Sequence, residues 1–185
     1  SSVSHMGFVL LGIASLTPEG VAGSVYQMFS HGIISAMLFL LAGVLYDRTN
    51  DRMIANYSGL SIKMPSYTAF VLIAFFASMG LPGFSGFIAE IMVFLGAFKS
   101  NSIHGPLHES LAIVATLGLV LGATYYLWTL QRMFFGPFNL KGNISSDQVY
   151  DVNVREYSML IPLAAAALFF GIYPQPMVAI IDHFA

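Results

Sequence analysis

Long runs without a formal charge are the feature of this sequence that most restricts its fold. Residues 21–46 contain no Lys, Arg, Asp or Glu, and residues 67–98 contain only one, Glu90. A helix needs about 20 mainly apolar residues to cross a bilayer, so both runs are long enough. Charged residues make up 9% of the chain, against roughly a quarter of a soluble protein. A soluble globular domain is therefore excluded.

The same pattern predicts an all-α fold, in which residues 1–185 form a single domain, a polytopic transmembrane helical bundle. Five segments are expected, and the first is partial, since it is too short to cross a bilayer alone. The segments are 1–16, 21–46, 67–98, 111–135 and 157–181. Polar loops are predicted at 47–66 and 136–156.

Basic residues predict the orientation of this bundle. All but one of the seven Lys and Arg residues lie in or beside the two polar loops. These six are Arg48, Arg52, Lys63, Arg132, Lys141 and Arg155. Because cytoplasmic loops carry an excess of basic residues, both loops are expected on the cytoplasmic side and Lys99 on the opposite side.

The 67–98 segment is too long for one straight transmembrane helix. At about 1.5 Å per residue its length is roughly 48 Å, well beyond a hydrocarbon core of about 30 Å. Its middle contains Gly80, Pro82, Gly83 and Gly86. Proline removes a backbone donor and glycine permits turns, so a discontinuous helix is predicted, broken near 80–86. Unpaired backbone at that depth requires a protein-lined or hydrated interior.

Glu90 is the first candidate for chemistry, because a carboxylate in hydrocarbon is costly and usually faces a cavity or a partner. It lies two helical turns past Pro82, and a broken helix beside an acidic residue is a recurrent arrangement in transporters. These features favour a proton or ion relay. A buried structural carboxyl, hydrogen-bonded to a neighbouring helix, is the alternative.

Two histidines are further candidates for a proton relay. His31 shares a helical face with Ser24, Gln27 and Ser35, and His5 lies in the first segment. Histidine titrates near neutral pH, which suits proton transfer. The alternative is that these polar groups only bind helices to one another.

No catalytic, metal or cofactor site is predicted. His104, His108 and Glu109 have helix-compatible spacing for a metal, but they lie in a loop without a well-placed third ligand. The absence of cysteine excludes an iron–sulfur cluster held by this chain. A net charge of −2 offers no basic surface for nucleic acid.

Four stretches, which follow one another along most of the length of the chain, are similar to the signatures of one family. They are SSVSHMGFVLLGI at 1–13, QMFSHGIISAMLFLLAGVLYDR at 27–48, GLPGFSGFIAE at 80–90 and YYLWTLQRMFFGP at 125–137. Together they resemble the C-terminal part of the antiporter-like M-subunit family of respiratory complex I, called subunit 4 in mitochondria. The resemblance implies the second half of an antiporter-like inverted-repeat subunit, with one broken helix in this half.

The resemblance also implies a function. It points to a proton-translocating membrane subunit of NADH:quinone oxidoreductase, in which quinone reduction elsewhere in the complex drives proton transfer. Glu90 would be the terminal proton-exchanging carboxylate, with His31 and His5 on the path toward it. The expected partners are the other membrane subunits and the lipid bilayer of an energy-transducing membrane, that of a bacterial cell.

Two alternatives to this function stay open. The chain could belong to a related cation/proton antiporter or membrane-bound hydrogenase complex, since those families share much of the pattern. It could also be a non-conducting scaffold segment of the membrane. The residues alone do not decide between H⁺ and Na⁺ as the transported ion.

Overall fold

The computed structural model describes residues 1–102, 105–142 and 144–184, and most of these residues are helical. The helices are α1 (Ser2–Ala14), α2 (Pro18–Thr49), α3 (Leu60–Lys63), α4 (Pro65–Ser78), α5 (Ser85–Ser102), α6 (Glu109–Met133), α7 (Val154–Ile172) and α8 (Gln175–Phe184). Two 3-10 turns (Ile54–Asn56 and Ser146–Gln148) and two strands, β1 (Tyr57–Ser58) and β2 (Asn139–Leu140), lie in the loops. The predicted all-α membrane bundle is confirmed.

Three helices in the described part of the chain are each long and apolar enough to cross a membrane, namely α2, α6 and α7. Two shorter apolar helices, α1 and α4, accompany them. The helix α2 extends three residues beyond each end of the predicted 21–46 segment, and α6 begins and ends two residues before the predicted 111–135. The loop 47–66 is correspondingly shorter than predicted.

The predicted 67–98 segment consists of α4 and α5, separated by residues 79–84. Gly80 and Gly83 adopt positive φ angles of 67° and 99°, a region that favours glycine. Gly86, which we predicted to lie in the break, is instead the second residue of α5. A side chain at Gly86 would overlap the carbonyl oxygen of Ala77, so this glycine permits a close approach between the two half-helices.

The predicted 157–181 helix is also corrected. It consists of α7 and α8, and the helix is interrupted at Tyr173 and Pro174. Pro174 has no amide hydrogen and disfavours a helical residue before it. Tyr173 accordingly has φ −125° and ψ 77°, while the carbonyl of Pro174 accepts the first hydrogen bonds of α8 from Met177 and Val178.

The helices α1 and α2 form an antiparallel hairpin. Thr17 begins α2, because its hydroxyl accepts a hydrogen bond from the Gly20 amide at 3.1 Å and Pro18 fills the first helical position. Leu16 lies at the turn with φ 51°. Residues at equal distances from Leu16 on the two helices therefore lie at similar depths.

The helix α5 packs backbone to backbone against this hairpin. A Cβ atom on Gly23 of α2 would lie 2.6 Å from the Val93 amide nitrogen of α5, and one on Gly96 would overlap the backbone of Gly20. Only glycine allows so close an approach at these positions. The contact places Gln27, one turn beyond Gly23, beside the first half of α5.

The two polar loops meet at one end of the bundle. Tyr57 of β1 pairs with Leu140 of β2 in an antiparallel arrangement. The guanidinium of Arg48 donates a hydrogen bond to the Glu156 carboxylate at 2.6 Å. At the opposite end of the bundle, Lys99 in the last turn of α5 forms an ion pair with Glu19 in the first turn of α2. The basic residues of both loops are thus gathered at the end opposite Lys99.

Asp151 joins the second loop to the start of α4. Its carboxylate accepts hydrogen bonds from the amides of Ser66 and Tyr67, each at 2.9 Å. Burial raises the pKa of this carboxyl, but the hydrogen bonds from these amides and from Val152 outweigh burial and hold the pKa below its ordinary value. Asp151 therefore caps α4 in its charged form.

Candidate functional site

Glu90 lies on α5, at the depth of the helix break, and only 5% of its surface is exposed. The start of α5 is fixed on α2 by a hydrogen bond of 2.7 Å between the hydroxyls of Ser85 and Ser30. A Cβ atom on Gly80 would overlap Oε2 of Glu90 and lie 2.9 Å from its Cδ. The backbone of the break therefore passes directly over the carboxylate.

His5 of α1 lies beside Glu90. Its Nδ1 lies 3.9 Å from Oε1 of Glu90, just beyond hydrogen-bond distance. The same Nδ1 lies 3.1 Å from Nε2 of Gln27, and Nε2 of His5 lies 3.3 Å from the hydroxyl of Ser78. His5 is buried, with 7% exposed, and connects four helices.

The position of His5 follows from the hairpin. His5 and Gln27 are each 11 residues from Leu16, which is about 16 Å along either helix. An antiparallel pair must therefore bring them side by side. His31, one turn further along α2, lies beside the start of α1, where its Nε2 is 3.2 Å from the Ser2 hydroxyl.

His31 is half-buried and contacts His5, with the two ring centroids 5.1 Å apart. Among the ion pairs of the described residues, none joins His31 to Glu90, so His31 adjoins His5 and not the carboxylate itself. The predicted polar face of α2 turns toward α1 at Ser24, whose hydroxyl donates to the Val9 carbonyl at 2.8 Å, as well as at Gln27 and His31. Ser35 instead bonds within α2, to the Gly32 carbonyl.

Glu90, His5, Gln27, His31, Ser78 and Tyr126 form one cluster of polar side chains. Two of its members were not predicted, Ser78 at the end of α4 and Tyr126 on α6. Their hydroxyl oxygens are 2.5 Å apart, and both residues are buried. They extend the hydrogen-bonded chain from His5 to α6, which corresponds to the predicted 111–135 segment. The sequence signal was weak, because a serine or tyrosine in an apolar helix is common and its partner lay 48 residues away.

A small cavity adjoins the cluster, with about 10 Å³ of water-accessible volume. This is room for about one water molecule. Its walls include His5, Glu90 and Ser78 and, from α6, Gly118 and Gly122. A Cβ atom on Gly122 would meet nothing closer than the Tyr125 hydroxyl at 3.8 Å, so this glycine leaves space beside Glu90.

The cluster contains the buried carboxyl of Glu90, the buried imidazole of His5 and the half-buried imidazole of His31. These groups bind and release protons, and the hydroxyls between them both donate and accept hydrogen bonds. Within residues 1–102, 105–142 and 144–184, no three His, Cys, Asp or Glu side chains are placed to hold a metal. The geometry therefore supports proton exchange among Glu90, His5 and their hydrogen-bonded neighbours.

The loop considered for a metal has a different role where the structure describes it. His104 lies outside the described residues. The imidazole of His108 accepts a hydrogen bond from the Ser110 amide at 3.3 Å and so begins α6. His108 therefore has a structural contact that its sequence position alone did not indicate.

Comparison with known proteins gives a consistent family. A sequence model described as "NADH:quinone oxidoreductase/Mrp antiporter, TM" matches residues 1–116. NADH-ubiquinone oxidoreductase chain 4 of Chondrus crispus is 47% identical over 95% of this chain and 34% of its own length. NADH-quinone oxidoreductase subunit M of Rhodobacter capsulatus is 41% identical over 95% of this chain and 32% of its own.

A solved structure agrees with these sequence relatives. A chain of respiratory complex I from Thermus thermophilus, determined with bound NADH, superposes with a TM-score of 0.79 at 32% identity. The match covers 97% of this chain and 36% of that one. The chain thus spans about a third of the length of the curated relatives it matches.

Proposed function

We propose, given that this chain belongs to the NADH:quinone oxidoreductase/Mrp antiporter transmembrane family, that it carries the terminal proton-exchange site of a proton-translocating subunit. The parent assembly is a NADH:quinone oxidoreductase, in which quinone reduction in other subunits supplies the free energy. The names of the relatives from Chondrus and Rhodobacter support this assembly. The embedding of the chain in a membrane follows from its apolar helices.

The observation that carries the proposal is the approach of Glu90 to His5 across 3.9 Å beneath the helix break. A carboxyl as deeply buried among transmembrane helices as Glu90, 5% exposed, is costly when charged, so it tends to take up a proton. A neighbouring imidazole accepts that proton when the distance shortens by about 1 Å to normal hydrogen-bond length. Glu90 would thus alternate between neutral and charged forms.

His5 would distribute the proton. One nitrogen faces Glu90, and the other faces Ser78, whose hydroxyl continues to Tyr126. His31 adjoins the His5 ring and bonds to Ser2 near the start of α1. The branch through Ser78 to Tyr126 is hydrogen-bonded to His5, whereas His31 reaches His5 through a ring contact. The side chains of both branches are of types that take part in proton transfer.

Partners and location follow from the same proposal. The chain would pack against other membrane subunits of the complex and against lipid, in the energy-transducing membrane of a bacterial cell. The related Rhodobacter subunit supports a bacterial setting. No redox centre is proposed in this chain, because it has no cysteine to hold an iron–sulfur cluster.

The test is Glu90→Gln in the full-length subunit, within the assembled complex in vesicles. Glutamine keeps the volume and hydrogen-bonding capacity of the side chain but cannot release a proton. We expect assembly to survive while the protons moved per electron fall. Glu90→Asp should retain more pumping than Glu90→Gln, because it keeps a titratable group.

Glu109→Gln makes the same chemical change at the exposed start of α6 and should pump like the parent. If Glu90→Gln assembles and pumps normally, a scaffold role replaces the relay. A related cation/proton antiporter is tested in the same vesicles, because Na⁺ movement in place of H⁺ movement would favour it.

A further inference from the structure

Gln27 has one end of its side-chain amide hydrogen-bonded and the other end unpaired. It is 2% exposed, and its Oε1 is buried without a hydrogen-bond partner among the described residues. Leaving a buried acceptor unpaired is unfavourable, because the group loses its hydrogen bonds to water without replacing them. The other end of the same amide lies on Nδ1 of His5. The amide of Gln27 therefore keeps its hydrogen bond to Nδ1 of His5, the nitrogen that faces Glu90, although its own oxygen stays unpaired.

The contacts define the proton position on His5. The amide nitrogen of Gln27 only donates, so Nδ1 of His5 accepts its hydrogen bond and Nε2 carries the ring proton. That proton points to the Ser78 hydroxyl at 3.3 Å. A ring nitrogen has one lone pair, so Gln27 and a protonated Glu90 cannot both donate to Nδ1. They compete for one position.

We propose that Gln27 is a positioning residue that occupies Nδ1 of His5 and keeps it separate from Glu90 between proton transfers. This inference rests on the proposed relay function of Glu90. Gln27 reaches Nδ1 at 3.1 Å, whereas Oε1 of Glu90 stays at 3.9 Å. Transfer requires the amide to leave and the carboxyl to take its place.

The transfer itself conserves every atom. The O–H bond of the Glu90 carboxyl breaks, and an N–H bond forms at Nδ1 of His5, leaving a carboxylate and an imidazolium. Nδ1 then donates, so an amide nitrogen no longer suits it. A half-turn of the Gln27 amide presents Oε1 instead, which gives that oxygen the partner it lacks in the resting arrangement.

Keeping Glu90 apart from Nδ1 of His5 allows a relay to release its proton. A buried carboxylate and imidazolium in direct contact form a short charge-assisted hydrogen bond, which is stronger than a neutral one. Such a pair would retain the proton and stop the cycle. By covering Nδ1 in either protonation state, the Gln27 amide prevents Glu90 and His5 from forming that pair permanently.

The test uses Gln27→Met and Gln27→Asn in the full-length subunit of the assembled complex. Methionine keeps the length without the amide, and asparagine keeps the amide but is one methylene too short to cover Nδ1. Both should lower the protons moved per electron to the level of Glu90→Gln, with the rate of quinone reduction per assembled complex unchanged. Gln131→Met, at an exposed site on α6, is the matched control.

An infrared readout separates positioning from mere packing. The carbonyl band of neutral Glu90 is defined as the band lost in Glu90→Gln, and it should also disappear in both Gln27 variants because the ion pair forms. Parental pumping and a parental band in either assembled Gln27 variant would overturn the inference, as would failure of both to assemble. If Glu90→Gln itself pumps normally, the relay function fails instead.

Discussion

Gly80→Ala tests whether the helix break is fitted to the carboxylate beneath it. The left-handed backbone at Gly80, with φ 67°, costs an ordinary residue about 1–2 kcal/mol. The new Cβ also overlaps Oε2 of Glu90 and lies 2.9 Å from its Cδ, and such overpacking costs about 1–3 kcal/mol. The total loss of stability is about 2–5 kcal/mol. The overlap also pushes the carboxylate of Glu90 away from His5.

Gly83→Ala separates these two effects. Gly83 also has a positive φ, 99°, but a Cβ atom there meets no heavy atom within 4 Å. It should lower stability through the backbone alone and leave pumping per assembled complex unchanged. Adding Glu90→Asp to Gly80→Ala should restore part of the stability, because the shorter side chain withdraws the carboxylate from the overlap.

The assay compares the purified full-length complexes by thermal inactivation temperature and by protons moved per electron. Gly80→Ala should lower both, and Gly83→Ala only the first. Equal behaviour of the two alanine variants would show that the contact with Glu90 contributes nothing. Equal stability of Gly80→Ala with and without Glu90→Asp would lead to the same conclusion.

Two further predictions concern the cavity and the loops. Gly122→Leu should fill the space beside Glu90 and lower pumping in vesicles without preventing assembly, whereas Gly7→Leu, where the structure leaves open space, should not. Asp151→Asn should lower the thermal inactivation temperature at neutral pH, since capping residues contribute about 0.5–2 kcal/mol. Because the folded pKa of Asp151 lies below its ordinary value, its contribution is complete above about pH 4 and is lost in stronger acid, where parent and variant should converge.

The broken helix was predictable because two independent signals coincide in it. Its length exceeds a bilayer, and glycine and proline lie at its centre. The role of Gly86 was not predictable from composition, because the sequence does not distinguish a glycine that permits close packing from one that permits a turn. Only the position of the Ala77 carbonyl separates the two roles.

The end of α7 was missed for a related reason. Apolar residues continue through Tyr173 into α8, so hydrophobicity alone predicts one long helix. Pro174 lies inside the predicted 157–181 segment, and its missing amide hydrogen interrupts the helix ten residues before Phe184. The strand pairing of Tyr57 with Leu140 is too short to produce any alternating pattern.

The partners of His5 show where sequence reasoning reaches its limit. The contact with Gln27 follows from counting, since both residues are 11 positions from the turn at Leu16 and helices rise uniformly. The approach of Glu90 depends instead on Gly23 and Gly96, which let α5 touch the hairpin backbone. The bond from Ser78 to Tyr126 depends on how α6 packs, which neither hydrophobicity nor spacing specifies. Distances within one hairpin are therefore predictable, whereas distances between separate segments require the packed structure.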